Sequence, residues 1–350
     1  MRTVFINELK PLLDAIAGQM DLYIPKKSGT HYVYNIYNPS SSGSPVEFNN
    51  IRACMPAKEL LFPLRELAAV FPEPLEPEKI EPFAIFGLKD CDLRSIEILD
   101  KVFAEKEFED PFYVKRREKM FIISSDCSDP ADSCFCNVMS GRSYPRDGFD
   151  LNFSQIKGGF VIEAGSVKGE DFINKHSELF KPVGNEGLTE RDNARAEAQE
   201  QLEQSNADLK FDVPVNEIVE EGHDSDVFAE EAKTCVECQA CTRVCPTCHC
   251  FYLYDTKRDN YFGKMKMWDS CMRIAYAEVA GGANPRKALG DRLRHRFMHK
   301  FSYFLERYGV DMCVGCGRCV DAEAGDVDIR QVLKKLNEEL KGQDKKKAKV

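Results

Sequence analysis

No apolar run in this 350-residue sequence approaches the ~20 residues that a membrane-spanning helix needs. Basic charge is not in excess either: 48 Lys and Arg face 58 Asp and Glu, a net charge of −10. That argues against non-specific binding to nucleic acid or an anionic membrane, both of which need a basic surface. The stretch MRTVFINELKPLLDAIAG lacks an uncharged apolar core and a clear cleavage site. A signal peptide is therefore not expected, and the cytoplasm is the expected compartment. No glycine-rich dinucleotide fingerprint follows a strand, and GFVIEAGS does not qualify. Flavin and NAD are not assigned to this chain on those grounds.

What the sequence does have is cysteine, 15 in all. In a reducing cytoplasm, cysteines at two- and three-residue gaps indicate metal rather than disulfides. Ten of the 15 fall between Cys235 and Cys319. The rest of the composition, 43% hydrophobic and 30% charged, is that of an ordinary globular protein. The length is enough for two or three domains.

Residues 1–185 read as an α/β domain. FINELKPLLDAIAG has helical periodicity and HYVYNIYN alternates like a strand. EPFAIFGLKDCDLRSIEILDKVF predicts a buried strand at Phe83–Gly87, a turn, and a helix from about Leu93 to Phe103 with Asp92 as N-cap. KMFIISSDC and GGFVIEAGS predict two more strands. Residues 186–228 begin with a polar, Ala/Glu/Gln-rich helix, expected to be an acidic, solvated connector. Residues 229–340 should form a mostly helical, two-cluster, ferredoxin-like domain, and residues 341–350 a flexible tail. The fold class expected is α+β, an α/β domain followed by this helical one.

CVECQACTRVCP sets Cys235, Cys238, Cys241 and Cys245 at the spacing of a bacterial ferredoxin, with Pro246 behind. Three thiolates two residues apart can reach three irons of one cubane from a tight loop. The fourth leaves the loop for a neighbouring cluster. A zinc ribbon would show two separated C-x2-C pairs instead. Cys313, Cys316 and Cys319 repeat the pattern, with Gly315 and Gly317 permitting positive φ. By the crossing rule Cys245 completes the cluster of this second loop. Four residues after Cys319, however, stands Glu323 rather than cysteine. The ligand that is lacking belongs to the first cluster, held by Cys235, Cys238 and Cys241. Cys248, Cys250 and Cys271 lie nearby, and one of them is expected to replace it. A three-iron cluster, or a carboxylate from Asp321 or Glu323, is the alternative.

The chain resembles a family of 4Fe-4S dicluster electron-transfer proteins that includes the sulfhydrogenase beta subunit, with a counterpart in anaerobic sulfite reductase. The resemblance rests on FGLKDCDLRSIEILDKVF, DPFYVKRRE, DCSDPADSCFCNVMSG, CVECQACTRVCPTCHCF, WDSCM, GDRLRHRFMHK and CVGCGRCVD, spread over most of the length. Relatives usually complete the last motif with Cys-Pro, and this chain does not. The resemblance implies two 4Fe-4S clusters and a non-catalytic relay of single electrons. The relay would link a flavin-containing NAD(P)H subunit with a hydrogenase, a sulfite or sulfur reductase, or a heterodisulfide-reductase-like partner.

Cys91, Cys127, Cys134 and Cys136 sit at predicted strand ends or turns, where α/β sheets gather ligand sites. They are candidates for a third iron–sulfur cluster, or else buried structural cysteines. Cys54 has no partner pattern and is expected in the core. Arg243, Arg273, Arg318 and the run Arg292, Arg294 and Arg296 flank the cluster loops, as potential-raising charges or as ordinary ion pairs. His249 lacks the Rieske spacing. His299 is expected to cap or pair within a helix, and Trp268 and the aromatics of FYLYDTKRDNYFGKMKMW to pack the cluster domain. Two rival readings remain: a reductase in its own right, centred on the N-terminal cysteines, and a subunit whose clusters only hold its fold.

Overall fold

A computed structural model describes residues 2–40, 48–72, 77, 80–258 and 261–347. The chain runs β1 (Thr3–Ile6), α1 (Leu9–Ala17), β2 (Asp21–Ser28), β3 (His31–Ile36), α2 (Lys58–Leu61) and β4 (Arg65–Phe71). It continues through β5 (Phe83–Leu88), α3 (Asp90–Phe103), α4 (Pro111–Lys119), β6 (Met120–Ser125), β7 (Leu151–Ile156) and β8 (Gly159–Ala164). Then come α5 (Val167–Lys175), β9 (Lys181–Pro182), α6 (Asn185–Ser205), α7 (Val215–Glu221), α8 (Val227–Glu231) and α9 (Ala240–Arg243). The last elements are β10 (Phe251–Arg258), β11 (Tyr261–Trp268), α10 (Leu289–Met298), α11 (Phe304–Tyr308), α12 (Arg318–Ala322) and α13 (Ile329–Lys347). No helix among the described residues is long and apolar enough to cross a membrane.

Two compact units form. One joins Met1–Phe62 with Glu76–Ser205, the other Pro63–Leu75 with Asn206–Val350. The first holds an eight-stranded sheet in the order β3-β2-β5-β6-β7-β8-β1-β9. Strands β2, β5, β6 and β7 are parallel and the outer pairings antiparallel. All six residues of β5 and of β6 are buried, as expected of parallel strands covered on both faces. Leu12, Leu13 and Ile16 of α1 and Ile173 of α5 share one apolar cluster with Phe86, Ile123 and Ile162 of the strands. Phe103 of α3 stacks on Phe62 and on Tyr113 of α4.

The helix predicted from Leu93 begins earlier, at Asp90. Asp92 is not the N-cap but the third helical residue, and its carboxylate accepts from the Lys89 backbone N–H at 3.1 Å. The polar helix α6 is not a solvated connector. It packs within the first unit, where Arg195 pairs with Asp126 at 2.7 Å and with Glu163, and Arg191 pairs with Glu163 at 3.0 Å. Polar contacts hold it down, with only Ala198 and Leu202 buried, so amphipathic patterning could not signal the docking. The rest of the expected connector, 206–228, falls in the second unit.

The second unit is mostly helical, as expected, and also carries a small sheet. Strands β10, β11 and β4 form an antiparallel sheet, the last supplied by a segment far upstream. The aromatic stretch expected to pack the cluster domain makes this hairpin, with Phe251 and Phe262 exposed and Trp268 buried. The expected tail at 341–350 is helical as far as Lys347, with Lys341 paired to Asp212 at 2.7 Å. Residues 348–350 lie outside the described residues.

Candidate metal centre

The two cysteine loops share one backbone shape. In the second, Gly315 and Gly317 have φ of 65° and 72°, and α12 follows. In the first, Glu237 and Gln239 take the same two places with φ of 54° and 64°, and α9 follows. A left-handed non-glycine residue costs about 1–2 kcal/mol, and such strain collects at functional sites. Helices α9 and α12 pack on each other, which brings the loops side by side. Cys241, Cys245, Cys313 and Cys316 are buried, Cys235 and Cys319 half-buried, and Cys238 exposed.

Cys245 is the cysteine that the crossing rule assigns to the second loop. It lies within electrostatic reach of Cys313 and Cys319, and the Lys300 ammonium donates to its sulfur at 3.2 Å. Cys248 hydrogen-bonds with Cys245, and Cys271 with Cys250. The three spare cysteines therefore gather around Cys245 and each other. At the first loop the neighbour is Glu323. Its Oε1 is 4.0 Å from Cys238 Sγ, and it lines a small cavity with Cys235, Cys241, Arg296 and Met272.

Arg296 on α10 and Lys300, in the π-helical turn His299–Tyr303 that follows, are only 3% and 2% exposed. Such π turns recur at functional sites. Burial opposes the charge on both. Yet Cys241, Cys319, Cys248 and Cys271 around Arg296, and Cys245, Cys248 and Cys313 around Lys300, hold the two cations well above their ordinary pKa. Burial meanwhile pushes Cys241 up to about 11 and Cys313 to about 12. Protonated thiols and buried cations make a poor match. Iron thiolates remove the conflict, because a bound metal displaces the thiol proton. The Nε and Nη2 of Arg296 have no hydrogen-bond partner among the described residues, and cluster sulfur would provide one. The residues present therefore fit iron–sulfur clusters. Among the described residues no three His, Cys, Asp or Glu side chains could hold a single metal ion. A cluster is a larger object whose ligands attach to separate irons.

Lys300 escapes sequence reasoning, since nothing in RHRFMHK marks which cation is buried. His249 donates from Nδ1 to the Thr247 carbonyl at 2.9 Å. His299 stacks near His249 and His295, and burial pushes it down to about 3, so it stays neutral. Arg243 lies 3.5 Å from the Trp268 carbonyl, Arg273 pairs with Asp269 at 2.7 Å, and Arg294 with Asp291 at 2.9 Å.

The N-terminal cysteines sit where the parallel strands end. Cys91 follows β5 in the first turn of α3, and Cys127 follows β6. Cys136 is raised by burial, then by the neighbouring Cys134 and Cys127, so these three lie near one another. Cys91 and Cys127 both lie near the fully buried Lys89 ammonium. That ammonium donates to Ser125 Oγ at 2.8 Å and to the Asp126 carbonyl at 2.7 Å. Burial lowers Lys89 to about 8 and raises Cys127 to about 11. A cleft of about 320 Å³ opens beside Cys127, lined by Phe48, Ser143, Ser154, Arg191 and Arg195. Cys54 is only half-buried, and its backbone N–H donates to Tyr32.

Residues 234–327 match the family model of a 4Fe-4S dicluster domain. Over 329 residues the chain is 32% identical to the sulfhydrogenase 2 subunit beta of Pyrococcus furiosus, covering 88% of this chain and 94% of that one. With two loops of one shape, side by side, and a match along nearly the whole length, the chain belongs to the sulfhydrogenase beta subunit family of 4Fe-4S dicluster proteins.

Proposed function

We propose that this chain is the iron–sulfur electron-transfer subunit of a cytoplasmic sulfhydrogenase-like complex. Its relay links a flavin/NAD(P)H-binding subunit with a hydrogenase, a sulfite or sulfur reductase, or a heterodisulfide-reductase-like partner. Cys245, Cys313, Cys316 and Cys319 hold one 4Fe-4S cluster, and Cys235, Cys238 and Cys241 hold three irons of the other. Bound there, the clusters supply one-electron carriers. The chain's own part is to keep them close through α9 and α12, to bury one more deeply than the other, and to set cations beside them. The observation that carries this reading is the nearness of Cys245 to Cys313 and Cys319, with Lys300 on its sulfur at 3.2 Å. Cys91, Cys127, Cys134 and Cys136 hold a third cluster at the strand ends. Iron near twelve per chain is expected if so, against about eight for two clusters alone. Paramagnetic resonance of the reduced protein tests the pair: Cys245→Ser should alter the second-loop signal and spare the first.

The cleft beside Cys127 favours a second reading, in which the N-terminal unit itself reduces a small substrate. A purified chain that consumes disulfide, sulfite or polysulfide with a chemical donor, and stops doing so on Cys127→Ser, would support it.

A further inference from the structure

We propose that the Glu323 carboxylate is the fourth ligand of the cluster held by Cys235, Cys238 and Cys241. The inference rests on the dicluster reading above. Glu323 stands four residues after Cys319, the place from which a ferredoxin loop sends its crossing ligand. The structure brings it across. Oε1 lies 4.0 Å from Cys238 Sγ, and the side chain shares a cavity with Cys235 and Cys241.

The carboxylate is also held for the task. Its Oε2 accepts the backbone N–H of Gly325 at 2.6 Å and of Val327 at 3.0 Å. Both bonds fall on one oxygen, so the other is left to face the thiols. The following loop backs directly onto the first one: a Cβ at Gly325 would lie 2.3 Å from the Thr234 carbonyl oxygen and 3.0 Å from Cys235 Cα. Only glycine allows that approach, and the approach sets the reach of Glu323.

The rivals are placed elsewhere. Cys248 is engaged with Cys245, Cys271 with Cys250, and Tyr276 hydrogen-bonds with Cys250. Asp321 is exposed and lies near Arg330. Carboxylate carries the same single negative charge as thiolate, so the substitution keeps the charge of the ligand set. It is a harder donor than sulfur, so the iron it holds should be the one most easily lost.

The test is iron content and paramagnetic resonance of the full chain, purified anaerobically. Wild type and Glu323→Cys should keep a four-iron first cluster. Glu323→Gln should give the signal of an oxidised three-iron cluster and lose about one iron per chain relative to wild type. The second-loop signal serves as the control for folding. Gly325→Ala, which displaces the carboxylate without removing it, should give a mixture of the two forms. Cys248→Ser, Cys250→Ser and Cys271→Ser should each keep the four-iron first cluster. A four-iron first cluster in Glu323→Gln, or its loss in one of those three serine variants while Glu323→Gln keeps it, overturns the inference alone. A wild-type C-terminal unit that binds no cluster overturns the dicluster reading as well.

Discussion

Replacing Lys300 with methionine tests how the fold sets a reduction potential. The ammonium is 2% exposed and 3.2 Å from Cys245 Sγ, so little solvent screens it. Reduction adds negative charge to a cluster, which a nearby cation stabilises, so removing the cation lowers the potential. A unit charge about 6 Å from the added electron, at an effective dielectric of about 20, is worth about 3 kcal/mol. At about 59 mV per tenfold for one electron, the shift is on the order of 100 mV. Lys300→Met should therefore move the cluster of Cys245, Cys313, Cys316 and Cys319 down by about that much, and Lys300→Arg should not. The first-loop cluster should move far less, because the cysteines that act on Lys300 are Cys245, Cys248 and Cys313. Potentiometric titration followed by paramagnetic resonance reads both clusters in one sample. A fully loaded Lys300→Met protein whose second-loop potential stays within about 20 mV of wild type would refute the reasoning.

Arg296 feels cysteines of both loops, so Arg296→Leu should lower both potentials in the same titration. Arg195→Ala strips the cation from Asp126 and Glu163, which are 13% and 15% exposed. The loss should be about 3 kcal/mol, read as a lower urea midpoint of the first unit. His295 is pushed down to about 4, first by burial and then by Arg286, with the rings of His299 and Tyr303 against it. The unfolded chain takes up this proton below about 6.5 and the folded one only below about 4. Its contribution is whole above pH 6.5 and is lost as pH falls to 4. The thermal midpoint of His295→Gln should accordingly drop less than that of wild type between pH 7 and pH 4.5.

The cysteine spacing marked out the two loops, because it is a local property of a tight loop. The backbone strain was legible in only one of them. Gly315 and Gly317 advertise positive φ, whereas nothing about Glu237 and Gln239 does; tertiary contacts impose it. Glu237 pairs with the buried Arg292 at 3.3 Å, which ties the loop to α10. The docking of α6 was hidden for a related reason: arginine pairs hold it, and a polar stripe reads as solvated. Strand β4 was missed because its partner β11 lies some two hundred residues on, beyond the range of any local pattern.

Charge explains why α10 matters more than its length implies. Two anionic clusters held by these loops, in a chain of net charge −10, would need their mutual repulsion offset. Arg292, Arg296 and Lys300 are each no more than 3% exposed and fall four residues apart, on one face of a continuous helix. Read as a sequence, the same segment offers the run Arg292, Arg294 and Arg296, which mixes two faces. Arg294 in fact pairs with Asp291 at the helix edge. Along the buried face, Arg292 holds Glu237 of the first loop, Arg296 lies among Cys241 and Cys319 of both loops, and Lys300 donates to the sulfur of Cys245. One cationic stripe thus runs under both sites. Without clusters, Arg296 and Lys300 buried among protonated thiols would be a steep cost. With clusters, they are the counter-charge, so the fold of this helix and the loading of the metal should depend on each other.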